Sequence, residues 1–120
     1  MNAPNIRVNQ TSVEFVNWLN DCNALLEAHM AAHYPNNPKE CLEASQGNRY
    51  IKIVHRQVEG TVRFAWAFID RTNGDVLKPA GWNAPAKHAR GNIFDEQKGM
   101  GSIGPYGPAY IRGSTPSLEI

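Results

Sequence analysis

The chain has few cysteines, no long apolar run and no strong net charge. Its 120 residues include two cysteines, Cys22 and Cys41, too few for the disulfide framework of a small secreted protein. No His and Cys spacing matches a zinc site, and we expect neither a metal nor a cofactor. The first residues, MNAPNIRVNQ, lack the apolar segment of a signal peptide, and no stretch has the length of a membrane helix. These absences predict a cytosolic, reduced protein with no membrane partner.

The charges are nearly balanced. Twelve Lys and Arg stand against eleven Asp and Glu, which gives a formal net charge of +1. General binders of duplex nucleic acid usually carry a strongly basic balance, so we do not expect nucleic acid as the partner. The length fits a single domain over residues 1–120. Because so small a domain leaves much of its surface exposed, we expect it to self-associate.

One long amphipathic helix is predicted over residues 11–33. Thr11 and Glu14 have the spacing of a capping box, in which the two side chains satisfy backbone N–H groups of the first turn. Apolar side chains then recur at helical spacing along one stripe: Phe15, Trp18, Leu19, Cys22, Leu25, Leu26 and Met30. The prolines of Tyr34–Pro38 end the helix.

An antiparallel meander is predicted over residues 49–78. Apolar and polar side chains alternate in 50–58, and we expect hairpin turns at Glu59-Gly60 and Asn73-Gly74. The second strand would present one apolar, mostly aromatic face for the helix to cover: Val62, Phe64, Trp66 and Phe68. The expected fold class is therefore α+β, with one long N-terminal helix on a small antiparallel sheet and a long Gly/Pro-rich C-terminal region.

Shorter segments surround these elements. Residues 1–10 are expected to form a flexible lead or a short edge strand, and residues 40–44 a short helical turn. The run Gly99–Gly107 is either a loop whose backbone amides cradle a phosphate or a flexible surface loop, and it matches neither the Walker A pattern nor the dinucleotide-binding fingerprint. A last short strand is expected over Ala109–Arg112, before a tail over 113–120.

The histidines form no catalytic pattern. His29 and His33 have the spacing of two zinc ligands on a helix, but the HExxH pattern is absent and a half-buried helix face explains them better. No Ser/His/Asp or Cys/His arrangement has local support. We therefore expect a binding protein and not an enzyme.

The segment Lys78–Asn92, KPAGWNAPAKHARGN, concentrates cations and contains no acidic residue. Trp82 can stack on a purine or nicotinamide-like ring, which contributes about 1–3 kcal/mol per base, or it can fold back over the sheet edge. Lys87 and Arg90 can pair with phosphates, or they can be ordinary surface cations. We interpret the segment as a candidate loop for a phosphorylated, base-containing ligand.

This run, preceded by FIDRTNGDVL, resembles small tailed-phage proteins with cores of the form KPAxxKAPAKxxRGN after a turn reading VD-x-x-NGD. Within that group the chain is similar to the phage Thoeris anti-defence sponge family of the first-described type, which traps glyco-cyclic ADP-ribose. The resemblance covers roughly Tyr50–Arg112. Asn83 stands where many relatives have lysine.

The resemblance implies a non-catalytic α+β protein that assembles as dimers or trimers of dimers in the cytoplasm of the infected bacterial host. It would sequester cyclic ADP-ribose isomers made by bacterial TIR-domain enzymes and so block activation of the Thoeris effector; some members also hold cyclic oligonucleotides. It further implies that Trp82 stacks on adenine, that the Asn92 amide contacts the ligand and that Arg112 is a distal arginine. Lys87 and Arg90 occupy motif positions, and we infer a ligand role for both.

Two other function classes stay open at this point. The chain can be a phage nucleic-acid-associated protein whose basic Lys78–Asn92 loop contacts a phosphate backbone, and its affinity would then fall steeply with salt. It can also be a small phosphodiesterase or glycohydrolase acting on the same signal, and the ligand would then not be recovered intact.

Overall fold

The computed structural model describes residues 6–109. Its elements are, in chain order, α1 (Val13–His33), β1 (Glu40–Gln46), β2 (Tyr50–Gln57), β3 (Arg63–Asp70), β4 (Asp75–Pro79), β5 (Pro85–Asn92), β6 (Ile103–Gly104) and β7 (Gly107–Pro108). Strands β1 to β5 form one antiparallel sheet in sequential order, and β6 pairs with β7 alone. The fold is α+β, as predicted. No helix in the described part of the chain is long and apolar enough to span a membrane.

Helix α1 buries one stripe against one face of the sheet. The stripe consists of Phe15, Trp18, Cys22 and Leu26, at the spacing that places side chains on one side of a helix. These residues share a core with the N-terminal segment, the sheet and the segment after β5: Val8, Leu42, Ile51, Ile53, Trp66, Ala67, Ile69, Val76 and Ile93. Burying each large apolar side chain contributes about 1.5–3 kcal/mol, so this shared core is the main source of stability.

The predicted capping box does not form. Ser12, not Thr11, is the N-cap, and its side chain makes no capping hydrogen bond. The Ser12 hydroxyl instead accepts the backbone N–H of Asn9 at 2.9 Å. At the other end the backbone N–H of Tyr34 donates to the carbonyl of Met30 at 2.8 Å, just before the predicted proline stop.

Two strands differ from the expectation. Residues 40–44, predicted as a helical turn, belong to β1, and residues 85–92 of the predicted ligand loop form β5. In β1, Glu40 pairs with Gln57 and Gln46 pairs with Ile51. Pairing along an open sheet edge outweighs weak local helix propensity, which explains why composition alone misassigned these segments.

The predicted aromatic face is wrong because of a β-bulge. The register shifts between Ile53 and Val54, so that Ile53 pairs with Ala67 and Val54 with Ala65. Trp66 and Ala67 both enter the core under α1. Phe68 pairs with Lys52, and alternation places that pair on the face opposite Ile53.

Of the two predicted hairpin turns, one is confirmed and one is wrong. The backbone N–H of Gly74 donates to the carbonyl of Asp70 at 2.7 Å, which confirms the Asn-Gly turn. The predicted two-residue turn at Glu59-Gly60 is wrong, because β2 ends at Gln57 and β3 begins at Arg63. In the N-terminal segment no strand forms over the described residues 6–10.

The glycine-rich run packs on the core. Its residues include the two short strands β6 and β7. The indole N–H of Trp18 donates to the carbonyl of Gly99 at 3.1 Å, and that of Trp66 donates to the carbonyl of Pro105 at 3.2 Å. At Gly107 the φ angle is +105°, and a Cβ would lie 2.6 Å from the Trp66 carbonyl oxygen. Only glycine fits there.

A side chain contacts the backbone of each edge strand of the sheet. On β1, the Asn23 amide donates to the carbonyl of Leu42 at 3.1 Å and accepts its backbone N–H at 2.9 Å. On β5, the Ser102 hydroxyl donates to the carbonyl of Arg90. Such contacts protect strand edges from pairing with another chain. Only Ala109 of the predicted last strand, Ala109–Arg112, is among the described residues. The predicted tail over 113–120 lies outside them.

Candidate functional site

Trp82 lies at the tip of the β4–β5 hairpin. Pro79 pairs with Pro85 at the base of this turn, and the fixed φ of each proline stiffens it. The backbone N–H groups of Ala80 and Gly81 both donate to the carbonyl of Ala84, at 2.8 and 3.1 Å. The turn therefore holds Trp82 with 46% of its surface exposed.

A lysine from the sheet covers one face of the Trp82 ring. The Lys52 ammonium lies 4.0 Å from the ring centroid, within the range of a cation–π interaction. The same ammonium donates to the Asn83 side-chain oxygen at 2.9 Å. Because Lys52 is on β2, these two contacts tie the hairpin tip to the sheet face that α1 leaves uncovered.

Two grooves meet at Trp82 and Arg63, and we call them the large groove and the small groove. The large groove, about 350 Å³, is lined by Arg63, Phe64, Ala65, Pro79, Ala80, Gly81 and Trp82. The small groove, about 160 Å³, is lined by Glu43, Ala44, Ser45, Lys52, Val54, Arg63 and Trp82. The large groove is mainly apolar apart from Arg63, whereas the small groove concentrates charged side chains.

The small groove has an excess of positive charge. Glu43 forms an ion pair with Arg56 at 2.6 Å. The hydrogen bond from Arg56 lowers the pKa of Glu43, and the charge of Arg63 lowers it further. Glu43 is thus ionised at neutral pH and matched by Arg56. The charges of Lys52 and Arg63 remain to attract an anion.

A comparison with known families covers most of this architecture. Residues 1–103 match the model of a family of unknown function, DUF7717. The chain belongs to this family. The DUF7717 match includes α1, the five-stranded sheet and the residues around Trp82. No curated protein and no solved structure matches the chain, so the resemblance to the sponge family stays a prediction.

The structure does not place Asn92 near Trp82. Asn92 pairs with Asp75 at the opposite end of the hairpin, and β4 alone spans about 13 Å at the usual strand rise. The Asn92 amide donates to the carbonyl of Asn73 at 2.8 Å and to the Asp75 carboxylate at 3.0 Å, and its oxygen accepts the Phe94 N–H at 2.8 Å. These bonds give Asn92 a role in closing the chain after β5; its predicted ligand contact is untested.

Arg90 and Lys78 hold the C-terminal segment. The Arg90 guanidinium donates to the carbonyl of Ala109 at 3.2 Å, and the Lys78 ammonium donates to that of Pro108 at 3.2 Å. Burial lowers the pKa of Lys78, and the neighbouring charge of Arg90 adds to this effect. Lys87 is exposed on β5, and Arg112 lies outside the described residues. Of the predicted ligand residues, Arg90 and Asn92 make other contacts within the described structure, and ligand roles for Lys87, Arg90, Asn92 and Arg112 stay predictions.

The sequence interpretation missed Lys52 and Arg63, the cations that do lie beside Trp82. Both come from strands that precede the basic segment by many residues. Alternation alone places Lys52 opposite Ile51 and Ile53, which marks it as a polar residue on the uncovered face. What the sequence lacks is a signal that the hairpin tip folds back over β2. In the described residues, no three His, Cys, Asp or Glu side chains form a group that could hold a metal.

Proposed function

We propose that the protein is a phage anti-defence protein that binds cyclic ADP-ribose-type immune signals beside Trp82, sequesters them without degradation and so inhibits Thoeris-type immunity. One observation carries the proposal. Trp82 is half exposed, its ring lies 4.0 Å from the Lys52 ammonium, and the adjoining grooves contain a second cation, Arg63. An aromatic plate beside cations suits a ligand that combines a base with phosphates.

The two grooves suggest where the base and the phosphates of such a ligand would bind. The base would lie in the large groove between Trp82 and Pro79, where apolar side chains favour a flat ring. The phosphates would lie in the small groove, where Lys52 and Arg63 supply charge. Because Trp82 and Arg63 line both grooves, one ligand can span them. The large groove, about 350 Å³, is open to solvent, so a bound base would keep one side exposed in a single copy of the chain.

Sequestration requires tight binding of the ground state and no stabilisation of a transition state. The groove's residues suit that task, because Glu43 is already paired with Arg56 and the remaining charges are cations. We therefore propose a binding protein and not an enzyme.

We also propose that the protein acts as a homodimer or a higher homo-oligomer. The grooves are open to solvent, so a second copy could close them. Asn23 and Ser102 contact backbone groups of the edge strands β1 and β5, so we propose contact between faces over strand pairing. The glycine-rich segment, which could have closed a partner's site, lies instead against Trp18 and Trp66 of its own chain.

Incubation with glyco-cyclic ADP-ribose, followed by heating, tests the function directly. We expect the signal to disappear from solution with the native protein and to be recovered intact after heat denaturation. Depletion without recovery would indicate an enzyme. Absence of depletion would refute the sponge and leave the nucleic-acid alternative, for which a single-stranded oligonucleotide should bind with strong salt dependence.

Calorimetry on two variants tests the location of the site. Trp82→Ala removes the stacking surface, and we expect affinity to fall roughly 5- to 150-fold, from about 1–3 kcal/mol per stacked base. Gly81→Leu adds a bulky side chain at a residue that lines the large groove, and it should not disturb the fold because a Cβ at Gly81 would meet no described atom within 4 Å. Tyr106→Ala, which removes an aromatic residue with 70% exposure outside both grooves, is the matched control. Unchanged affinity in both groove variants would place the site elsewhere.

A further inference from the structure

A separate cavity of about 190 Å³ lies where α1 ends and β1 begins. Its walls are formed by Glu27, Met30, Ala31, Tyr34, Pro35, Asn37, Pro38, Lys39 and Glu40. None of these residues lines the two grooves beside Trp82. A cavity of about 150 Å³ can hold benzene, so this one has room for a short alkyl chain with a polar head.

Aromatic rings cluster beside this cavity. The His29 ring lies 5.9 Å from the Tyr34 ring and 5.3 Å from the Tyr106 ring, the latter in an edge-on arrangement. The Tyr106 hydroxyl is 3.1 Å from His29 Nε2. Tyr34 and Tyr106 nevertheless keep 44% and 70% of their surfaces exposed. They present electron-rich ring faces, which attract cations.

The charges around the cavity also favour a cation. Two carboxylates, Glu27 and Glu40, are part of its wall, with Lys39 as the one opposing cation in the lining. The C-terminal end of a helix carries partial negative charge, and α1 ends here. A hydrogen bond with Tyr34 raises the pKa of Tyr106, and the charge of Glu40 adds to the effect.

Glu40 is held in place by the sheet. Its carboxylate is hydrogen-bonded to His55 Nε2, and the side chains of Glu40 and His55 are only 19% and 14% exposed. A carboxylate fixed in this way can bind a ligand's cationic head at a small entropic cost. Met30, Tyr34 and Pro38 supply the apolar surface next to it.

We propose that this cavity binds a small organic cation, an alkylammonium or alkylguanidinium group, with its carbon chain against Met30, Tyr34 and Pro38 and its head at Glu40. The combination of an apolar slot, exposed aromatic faces and two carboxylates matches that chemistry, whereas a phosphate would be repelled. This site is independent of the proposed sequestration of a nucleotide signal, because it shares no lining residue with the grooves beside Trp82.

Amide chemical shifts measured by NMR test the proposal with simple probes. We expect n-butylammonium and agmatine, which carries a butylguanidinium group, to produce saturable shifts at the amides of Tyr34 and Glu40. The neutral isostere 1-butanol should bind at least several-fold more weakly. Equal binding of the alcohol, or no saturable shift with either cation, would overturn the proposal. Nα-acetyl-lysine methylamide, which mimics a lysine residue in a polypeptide, is a further probe. If it binds as tightly as butylammonium, the natural ligand is a lysine side chain of a protein.

Two variants separate the cationic site from the fold. Glu27→Gln removes an exposed carboxylate from the wall, and Tyr34→Leu removes an aromatic face; we expect each to weaken butylammonium binding several-fold. Glu43→Gln, on the same sheet but outside this cavity, should leave it unchanged. Unaltered binding in both cavity variants would overturn the assignment even if some shifts were seen. Depletion of glyco-cyclic ADP-ribose by Glu27→Gln should match the native protein, so failure of either proposal is distinguishable from failure of the other.

Discussion

The two faces of the sheet use the same residue type in opposite ways. Between α1 and the sheet, Trp18 of the helix and Trp66 of β3 are 1% and 3% exposed, and each indole N–H donates to a carbonyl of the glycine-rich segment. On the other face, Trp82 is 46% exposed and its ring contacts the Lys52 ammonium. Burial and partners, more than residue type, distinguish a tryptophan that stabilises the fold from one that is available to a ligand.

The faces differ in charge as well. The core under α1 consists of apolar side chains, whereas the uncovered face contains Lys52 and the ion pair of Arg56 with Glu43. A single helix of this length covers only one face of a five-stranded sheet. The other face buries Phe68 and Leu77 but also presents polar side chains, and these are the groups that can bind a ligand.

The largest expected effect is a difference in the free energy of unfolding between variants of Trp18 and Trp82. Trp18→Ala should lower the free energy of unfolding by about 3–5 kcal/mol, because a buried ring and its hydrogen bond to Gly99 are lost. Trp82→Ala should change it by less than about 0.5 kcal/mol, as for most surface substitutions. Urea unfolding of the two variants measures this difference. A comparable loss in both would show that Trp82 also supports the fold and would remove the contrast between the faces.

The helix and the central strands could be predicted from the sequence because their signals are local. Phe15, Trp18 and Cys22 follow one helical stripe, and Ile51 and Ile53 follow one strand face, as the structure has them. The bulge beside Ile53 could not be predicted, because it depends on pairing between two strands. The position of Phe68 was misassigned for that reason.

The site could be predicted only in part. Trp82 was singled out because it is a large aromatic residue between a glycine and an amide in a turn. Lys52 and Arg63 were missed because a groove is formed by tertiary contacts that no local pattern encodes. The hydrogen bonds of Asn92 to Asn73 and Asp75 also could not be read from the sequence, because they depend on the pairing of β4 with β5; its ligand contact stays a prediction.

The pH dependence of stability tests the role of Asp70, a buried carboxylate at the end of β3. Asp70 is 5% exposed; burial alone would raise its pKa, but hydrogen bonds from Thr72 and Arg49 outweigh this and hold the pKa below its ordinary value. Because the pKa of Asp70 is lower in the folded state than in the unfolded state, where it is about 3.9, the ionised carboxylate stabilises the fold at pH values above about 3.9. This stabilisation is lost as the pH falls through the pKa of the folded state. Asp70→Asn should be less stable at neutral pH, and its stability should fall less between about pH 5 and pH 3 than that of the native protein. Parallel pH curves from urea unfolding would contradict this.

Matched substitutions of two lysines compare the small groove beside Trp82 with strand β5. Lys52→Met removes an ammonium from the small groove, and we expect affinity for glyco-cyclic ADP-ribose to fall roughly 2- to 13-fold, from about 0.5–1.5 kcal/mol for one hydrogen bond to the ligand. Lys87→Met makes the same change in net charge on exposed β5 and should have a smaller effect. Calorimetry at one salt concentration measures both. A larger loss for Lys87 would place the ligand along β5 and revive the site expected from the sequence.

The smallest expected effect is an increase in affinity. Glu43 is the acidic residue that lines the small groove, and its charge opposes that of Lys52 and Arg63. Glu43→Gln should tighten binding of a phosphate-containing ligand roughly 1.5- to 5-fold at low salt, since exposed ion pairs are worth about 0.2–1 kcal/mol. Glu14→Gln changes the net charge equally at the start of α1, outside both grooves, so any difference between the variants is local. Weaker binding in Glu43→Gln would mean that the carboxylate accepts a hydrogen bond from the ligand, as a ribose hydroxyl would donate, and the small groove would then bind the sugar in place of the phosphates.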